Sequence, residues 1–330
     1  MGEIGDLSAV FRFCVPMAYR LCSLSALVMA ICVIVIVGCQ PSSDASSHSE
    51  EPTAQTPALP DSVLTPPDST AKRFEAAMRY ADSVATDTAA IGPLMQKIGL
   101  YFRGRPYLEG TLDQPDTETL VVRLDGFDCV TFIETVLAMA RGVKTGDTTY
   151  AGFARRLAQQ RYRNATMQGY CSRLHYFTEW LADNERKGVV KRLDDELGGR
   201  RMADTLNFMS THRSAYDRFA TNDSLYACVQ QMETDLQVQQ RNRPVQYVPQ
   251  DSIRAVYDQL RAGDIVAVAT SIDGLDVSHS GLVYTHDDGR KGFLHASLSD
   301  GVMVSPDLQR YVQTIDHQIG IVIGRPQPVR

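Results

Sequence analysis

The chain has 330 residues, 44% of them hydrophobic and 22% charged, the composition of an ordinary globular protein and not of a disordered or fibrous one. Its formal charge of −6, with no concentrated basic face in the sequence, argues against a nucleic-acid partner. Seven cysteines are present, but Cys14, Cys22, Cys32 and Cys39 crowd the N-terminus. The remaining Cys129, Cys171 and Cys228 form no Cys-x-x-Cys pair of a zinc ribbon or redox motif.

Residues 23 to 38, SLSALVMAICVIVIVG, make an apolar run preceded by Arg20, the layout of a secretory signal and short for a membrane-spanning helix. Ile36-Val37-Gly38-Cys39 resembles the bacterial lipobox, which implies cleavage before Cys39 and attachment of a lipid to it. An uncleaved signal anchor is the alternative, and both export the rest of the chain. Met17 is a second candidate start. Gln40 follows Cys39 where an inner-membrane retention signal would have Asp, so an anchor in the outer membrane, on its periplasmic side, is the expectation. Residues 39 to 72 read as a lipidated Cys followed by a tether. They are rich in Ser, Thr, Pro, Asp and Glu, lack aromatic residues, and would have an r.m.s. reach of roughly 30 Å.

The exported domain is read as residues 73 to 330. Phe74, Met78, Tyr80 and Val84, then Ile91, Leu94, Met95 and Ile98, have helical spacing, and Gly92-Pro93 suggests a break between two helices. Residues 105 to 110 read as a loop and Leu120 to Leu124 as a short strand. From Phe127 to Ala140 apolar residues occupy nearly every face, as in a helix buried at the centre of a domain, with Asp128 as its N-cap and Cys129 in its first turn. Residues of about 151 to 262 read as a helical insertion that shapes a substrate groove. Beyond Gly263 the period changes to two, over residues 264–270, 278–284, 292–297 and 319–323, which predicts an antiparallel meander. Helices first and strands after define an α+β fold.

A cysteine is nucleophilic as thiolate, and a helix N-terminus favours that form, so Cys129 is the candidate nucleophile. It needs a base within hydrogen-bond reach and a third group to orient that base. His279 and His295 lie on neighbouring strand candidates, placing one to face the thiol and the other to hold the first imidazole. Cys171 and Cys228 either pair or are inert; their spacing does not decide.

Gly104 to Gly110, Phe127-Asp128-Cys129, Ser278-His279-Ser280-Gly281 and His295-Ala296-Ser297 together resemble the NlpC-type cell-wall hydrolases, a papain-like superfamily. That resemblance implies a nucleophile-bearing central helix packed on an antiparallel sheet, with a helical N-terminal layer and the helical insertion added. It carries the roles of nucleophile, base and orienting residue to Cys129, His279 and His295, and that of oxyanion-stabilising tyrosine to Tyr107. Cys129-Val130-Thr131-Phe132, Arg173 to Phe177, Leu206 to Ser210 and Gly274 to His279 are similar to one branch, formerly a domain of unknown function. Over residues 75 to 326 the likeness implies an N-acetylmuramoyl-L-alanine amidase that cuts peptidoglycan fragments, anhydro-muramyl ones favoured, in wall turnover or recycling.

The mechanism so implied is acyl transfer through a thioester, with no cofactor and no metal. Arg173, His175, Tyr176 and Trp180 are candidates for a substrate wall, with Arg173 offered to a stem-peptide carboxylate, and Ser278 for a further substrate contact. Packing of the 173 to 180 aromatics into a core is the competing reading of that segment. Rival functions are an endopeptidase cutting between D-glutamate and the diamino acid of the stem, a zinc site on Cys129, His279 and His295, and a non-catalytic binder of wall fragments. The zinc reading lacks the close His-x-x-x-His pair that would announce it.

Overall fold

The computed structural model describes residues 59–85 and 90–329. The apolar run at 23–38, Cys39 and the first part of the tether lie outside the described residues. Helix α1 (Asp61–Leu64) and most of the first turn of α2 (Asp68–Ser83) fall within the stretch read as tether. Phe74, Ala77, Met78 and Ala81 bury one face of α2, and this packing organises the chain upstream of residue 73. In α3 (Ile91–Tyr101) the Gly92-Pro93 pair sits in the first turn instead of between helices, where a proline lacking its N–H is tolerated. Leu120 to Leu124 form no strand. Leu120 and Leu124 are buried, but the Val121 carbonyl accepts from Arg161 Nη1 at 2.7 Å instead of joining a ladder.

Helix α4 (Cys129–Thr145) is the centre of the domain, buried continuously from Thr131 to Gly142. It ends at Gly146, whose φ of 74° suits a residue without a side chain. After α5 (Tyr150–Arg161), the middle of the chain forms α6 (Phe177–Arg186), β1 (Val190–Arg192), α7 (Asp194–Leu197), β2 (Arg200–Arg201), α8 (Phe208–Thr211), α9 (Asp217–Ala220) and α10 (Asp223–Asn242). Then come β3 (Gln246–Pro249) and a 3-10 segment, Gln250–Gln259. The period-two region forms β4 (Ile265–Thr270), β5 (Val277–Thr285), β6 (Lys291–Ser297), β7 (Gly301–Ser305) and, after α11 (Leu308–Gln313), β8 (Gln318–Pro326).

These strands build one antiparallel sheet in the order β2-β3-β8-β4-β5-β6-β7, with β1 also paired to β8. Strand alternation divides its side chains between two cores. Ala267, Leu282, Leu294, Ala296 and Val322 pack with the helices around α4, while Val266, Val268, Val283, Phe293 and Ile323 pack with the 3-10 segment and α11. A third core lies within the insertion, where Tyr176, Phe208, Phe219, Val229 and Leu236 cluster and a Cys171–Cys228 disulfide joins its two sides.

Two bulges interrupt the sheet at one end. Val268 pairs with His279 and Ala269 with Val277, so Ser278 is an extra residue; Ala269 pairs with Gly320 and Thr270 with Gln318, so Ile319 is another. A bulge reverses the alternation beyond it and re-aims the neighbouring side chains, and here those neighbours are His279 and Gln318.

The interior of α4 carries a charge. Glu134, 1% exposed, accepts from Arg161 Nε at 2.7 Å and from Trp180 Nε1 at 3.1 Å. Removing one member of such a pair strands the other in a low-dielectric interior. Glu134→Ala is expected to lower stability by about 3–5 kcal/mol in urea unfolding, and the double variant Glu134→Leu with Arg161→Met to cost markedly less.

Candidate active site

The first turn of α4 is fixed by a reciprocal cap. Asp128 Oδ1 accepts from the Val130 and Thr131 amides at 2.9 and 2.7 Å, and Thr131 Oγ1 accepts from the Asp128 amide at 3.0 Å. The residue before the cap is pinned as well. Leu108 N donates to Phe127 O and Phe127 N to Pro106 O, each at 3.0 Å, which lays Tyr107 alongside Cys129. Gly126 permits this approach, since a Cβ there would stand 2.6 Å from both Leu108 Cγ and the Pro106 carbonyl.

Among the described residues Cys129 is the free cysteine. Burial, and then the Asp128 carboxylate, push its thiol up to about 12, while the neighbouring Ser280 works in the opposite direction. The helix N-terminus therefore does not lower the thiol pKa as expected, because desolvation and the capping carboxylate outweigh the dipole. At rest the Cys129 side chain is a neutral thiol. Tyr107 faces it, and burial followed by the charges of Cys129 and Asp128 raises the phenol well above its usual range.

His279 on β5 and His295 on β6 meet directly, Nε2 of the first 2.8 Å from Nδ1 of the second. His295, 1% exposed, extends the chain through its own Nε2 to Ser305 Oγ on β7 at 3.1 Å. Burial lowers His279 to about 4, and burial together with the adjacent His279 lowers His295 to about 2. Both imidazoles are neutral at physiological pH. Ser280, next to His279 in β5, is fully buried near Cys129 with its Oγ unpaired among the described residues, whereas Gly281 and His279 share the side of Phe293 and His295. Among the described residues no hydrogen bond joins the sulfur to either imidazole, so the imidazole pairing expected from the sequence is present and the thiol–imidazole contact is not formed in this state. His279 Nδ1, with no hydrogen-bond partner among the described residues, is the nitrogen available for it.

The expected substrate wall is occupied by internal contacts. Burial opposes the Arg173 charge, but Asp113 and Glu118 pair with it and hold it, and the guanidinium lies 4.8 Å from the centre of the Tyr170 ring. It is not free for a substrate carboxylate. His175 Nε2 lies 2.9 Å from the Tyr170 carbonyl, with its pKa lowered to about 3 by burial and then by Arg173. Tyr176 donates to Glu233 at 2.7 Å, and Trp180 to Glu134. Arg173, Tyr176 and Trp180 are buried, so these side chains form the root of the insertion instead of an exposed wall. Ser278 is exposed beside His279.

Three residues at the site were not legible beforehand. Ser305 lies on β7, a strand the sequence reading omits, and Tyr311 and Gln318 lie in and after the short helix α11, outside every motif. Tyr311 packs against both imidazoles, and its phenol is raised by burial and by Cys129 while the Gln318 side chain opposes that shift. Among the described residues no group of three His, Cys, Asp or Glu side chains converges as a metal cluster.

A capped helix that presents a thiol at the end of an antiparallel sheet, beside paired imidazoles, defines the class of site. The profile of the AmiA-like family, described as N-acetylmuramoyl-L-alanine amidase-like, matches residues 97–321, and the chain belongs to that family. It is similar to the crystal structure of an N-acetylmuramoyl-L-alanine amidase from Bacteroides uniformis, with 29% identity, a TM-score of 0.65, and 71% of this chain and 97% of that one covered. It is also similar to a putative xylanase from Bacteroides fragilis, with 33% identity, a TM-score of 0.63 and coverage of 69% and 98%. Protein LPG0564 from Legionella pneumophila, of the DUF1460 family, shares the fold at 19% identity and a TM-score of 0.58, over 79% and 96%. No curated protein matches.

Two outcomes follow from the neutral thiol and neutral imidazoles. Iodoacetamide labelling of Cys129, followed by peptide mass, is expected to accelerate continuously from pH 7 to 10, because the thiolate fraction is still rising there. A rate that is flat across this range would mean a preformed thiolate–imidazolium pair. The depressed histidines also couple stability to acidity. Above pH 6.5 the unfolded chain holds them neutral too, and no penalty exists; as pH falls from 6.5 toward 4 the unfolded state takes up protons that the fold refuses. Thermal melts are expected to move steadily downward across that window.

Proposed function

We propose that the chain is a thiol-dependent N-acetylmuramoyl-L-alanine amidase of the papain-like, NlpC-type superfamily, acting on peptidoglycan fragments with Cys129, His279 and His295 as its catalytic set. The observation that carries this reading is the 2.8 Å imidazole pair on β5 and β6, strands of the sheet on which the Cys129-bearing helix α4 packs. Family membership over 97–321, which spans all three residues, supports the reaction class.

For His279 Nδ1 to accept the thiol proton, Nε2 must carry the other hydrogen and donate it to His295 Nδ1. His295 Nε2–H then donates to Ser305 Oγ, so one tautomer is fixed along the whole row. Substrate binding brings Nδ1 to the sulfur, a contact that commonly tightens only in the complex. The thiol gives its proton to His279 as sulfur attacks the lactyl carbonyl carbon of the muramyl group. The Cys129 amide and the Tyr107 hydroxyl donate to the resulting oxyanion. The imidazolium protonates the departing L-alanine nitrogen, the C–N bond breaks, and a muramyl thioester remains. Water, deprotonated by His279, attacks the thioester; the sugar acid leaves and the thiol is restored.

A neutral His295 orients His279 without a negative charge to stabilise the imidazolium. Proton transfer is therefore concerted with attack instead of preceding it, which fits a base lowered to about 4. The favoured substrate is the anhydro-muramyl fragment released in wall turnover. Export and lipid attachment through Cys39 to the periplasmic side of the outer membrane complete the proposal, and the Cys171–Cys228 disulfide supports folding in an oxidising compartment.

Mass spectrometry of sugar-linked stem peptides digested by wild type, Cys129→Ala and His279→Ala tests the reaction. Free stem peptide beginning at L-alanine is expected from wild type, with losses of about 10³-fold or more in both variants. A product that keeps L-Ala-D-Glu on the sugar would instead mark a stem endopeptidase, and full activity in Cys129→Ala would sink the thiol mechanism. The anchor is tested by Cys39→Ala, expected to move the protein from the membrane to the soluble fraction.

A further inference from the structure

Beside the catalytic set, the most informative group without an assigned role is the phenol of Tyr311. Its ring centre lies 4.7 Å from that of His295 and 5.9 Å from that of His279, and Phe293, stacked on His295 at 4.6 Å, is 4.9 Å from it. The imidazole pair is thus covered on its α11 side by one phenylalanine and one tyrosine. A phenylalanine would cover the rings as well as a tyrosine does, so the hydroxyl needs its own account. It faces both Cys129 and Gln318. Gln318 is 5% exposed, lies next to the β8 bulge, and its Oε1 has no hydrogen-bond partner among the described residues. A buried amide with one unpaired end is costly unless the other end is tied, and Gln318 is the neighbouring side chain that opposes the raised phenol of Tyr311.

We propose that Tyr311 is a positioning residue for the imidazole pair: its ring covers His279 and His295 on their α11 side and limits their access to water, and Gln318, beside the bulge, holds the ring in place by its hydroxyl. This rests on the thiol–imidazole reading above and deepens it. Water is the group most able to stabilise an imidazolium here, because the surrounding elements offer little else. The β4 partner Val268, Phe293 of β6 and Ser305 of β7 do not titrate; α4 brings Cys129 and Asp128, the loop before it Tyr107, and α11 Tyr311 itself. The Asp128 carboxylate already serves the α4 cap. Excluding water keeps His279 neutral and its Nδ1 unprotonated across the working pH range, and the ring holds His279 against His295 so that a single tautomer persists.

The test reads the imidazoles directly. NMR titration of the histidine side chains is carried out on Cys129→Ala protein, alone and combined with Tyr311→Ala, Tyr311→Phe or Gln318→Ala. Tyr311→Ala is expected to raise the His279 midpoint by about one pH unit or more toward 6.5, and Gln318→Ala and Tyr311→Phe, which remove the same link and keep the ring, by smaller and similar amounts. In thiol-containing enzyme the acid limb of kcat/KM is expected to move by the same amounts, with kcat for Tyr311→Ala down roughly 10- to 100-fold and KM within about threefold. Unchanged midpoints in Tyr311→Ala would overturn the proposal. So would a shift in Tyr311→Phe as large as in Tyr311→Ala. Should Tyr311→Ala not fold, Gln318→Ala decides by the same criterion. Because the titration needs no thiol, failure of the amidase mechanism in the Cys129→Ala digest leaves its outcome separately readable.

Discussion

Twelve consecutive buried residues, Thr131 to Gly142 of α4, lock this helix between the sheet and the other helices, and that burial decides where the Cys129 sulfur stands. A helix enclosed on all sides cannot slide or rotate without opening cavities, so its first turn is held as firmly as its middle. The Asp128 cap and the pairing of Phe127 with the 106–108 backbone then carry that rigidity one residue outward, to Cys129 and Tyr107. Everything at the site is placed by reference to this fixed point, including the strand ends that bring Ser280 and the imidazoles toward it.

The same enclosure sets the chemistry. Burial raises the thiol and lowers both histidines, so the site holds no thiolate–imidazolium pair at rest. Several buried charges are matched: Asp128 in its cap, Glu134 with Arg161, and Arg173 with Asp113 and Glu118. Arg173 shows how one residue type serves two readings in sequence and one in structure. Its partners lie in the loop at 111–119, which a linear reading had no means of bringing beside residue 173.

Much of this was legible because local patterns coincide with long-range need. From Phe127 to Ala140 apolar residues on nearly every face mark an enclosed helix, and the period-two segments beyond Gly263 correspond to β4, β5, β6 and the middle of β8. The motif residues Cys129, His279 and His295 stood out for their chemical type. What stayed hidden was set by contacts remote in sequence. Gly301 to Ser305 is five residues long and half-exposed, α11 is barely two turns, and β1 to β3 are short pieces that exist because β8 and one another offer an edge. The Leu120 to Leu124 run had strand composition but no neighbouring strand to receive it. Ser305, Tyr311 and Gln318 reach the site only through these elements, so no spacing in the chain pointed to them.

The paired bulges constrain where this chain tolerates a change of length. Ser278 and Ile319 each insert one residue against the same strand, β4, at the end that bears His279 and Gln318. Loss of either residue would turn every side chain between the bulge and the adjoining turn onto the opposite face, burying what is exposed and exposing what is buried. Length changes in the two strands that flank β4 are thereby confined to the turns, while the turns themselves, lying outside the pairing, stay open to variation.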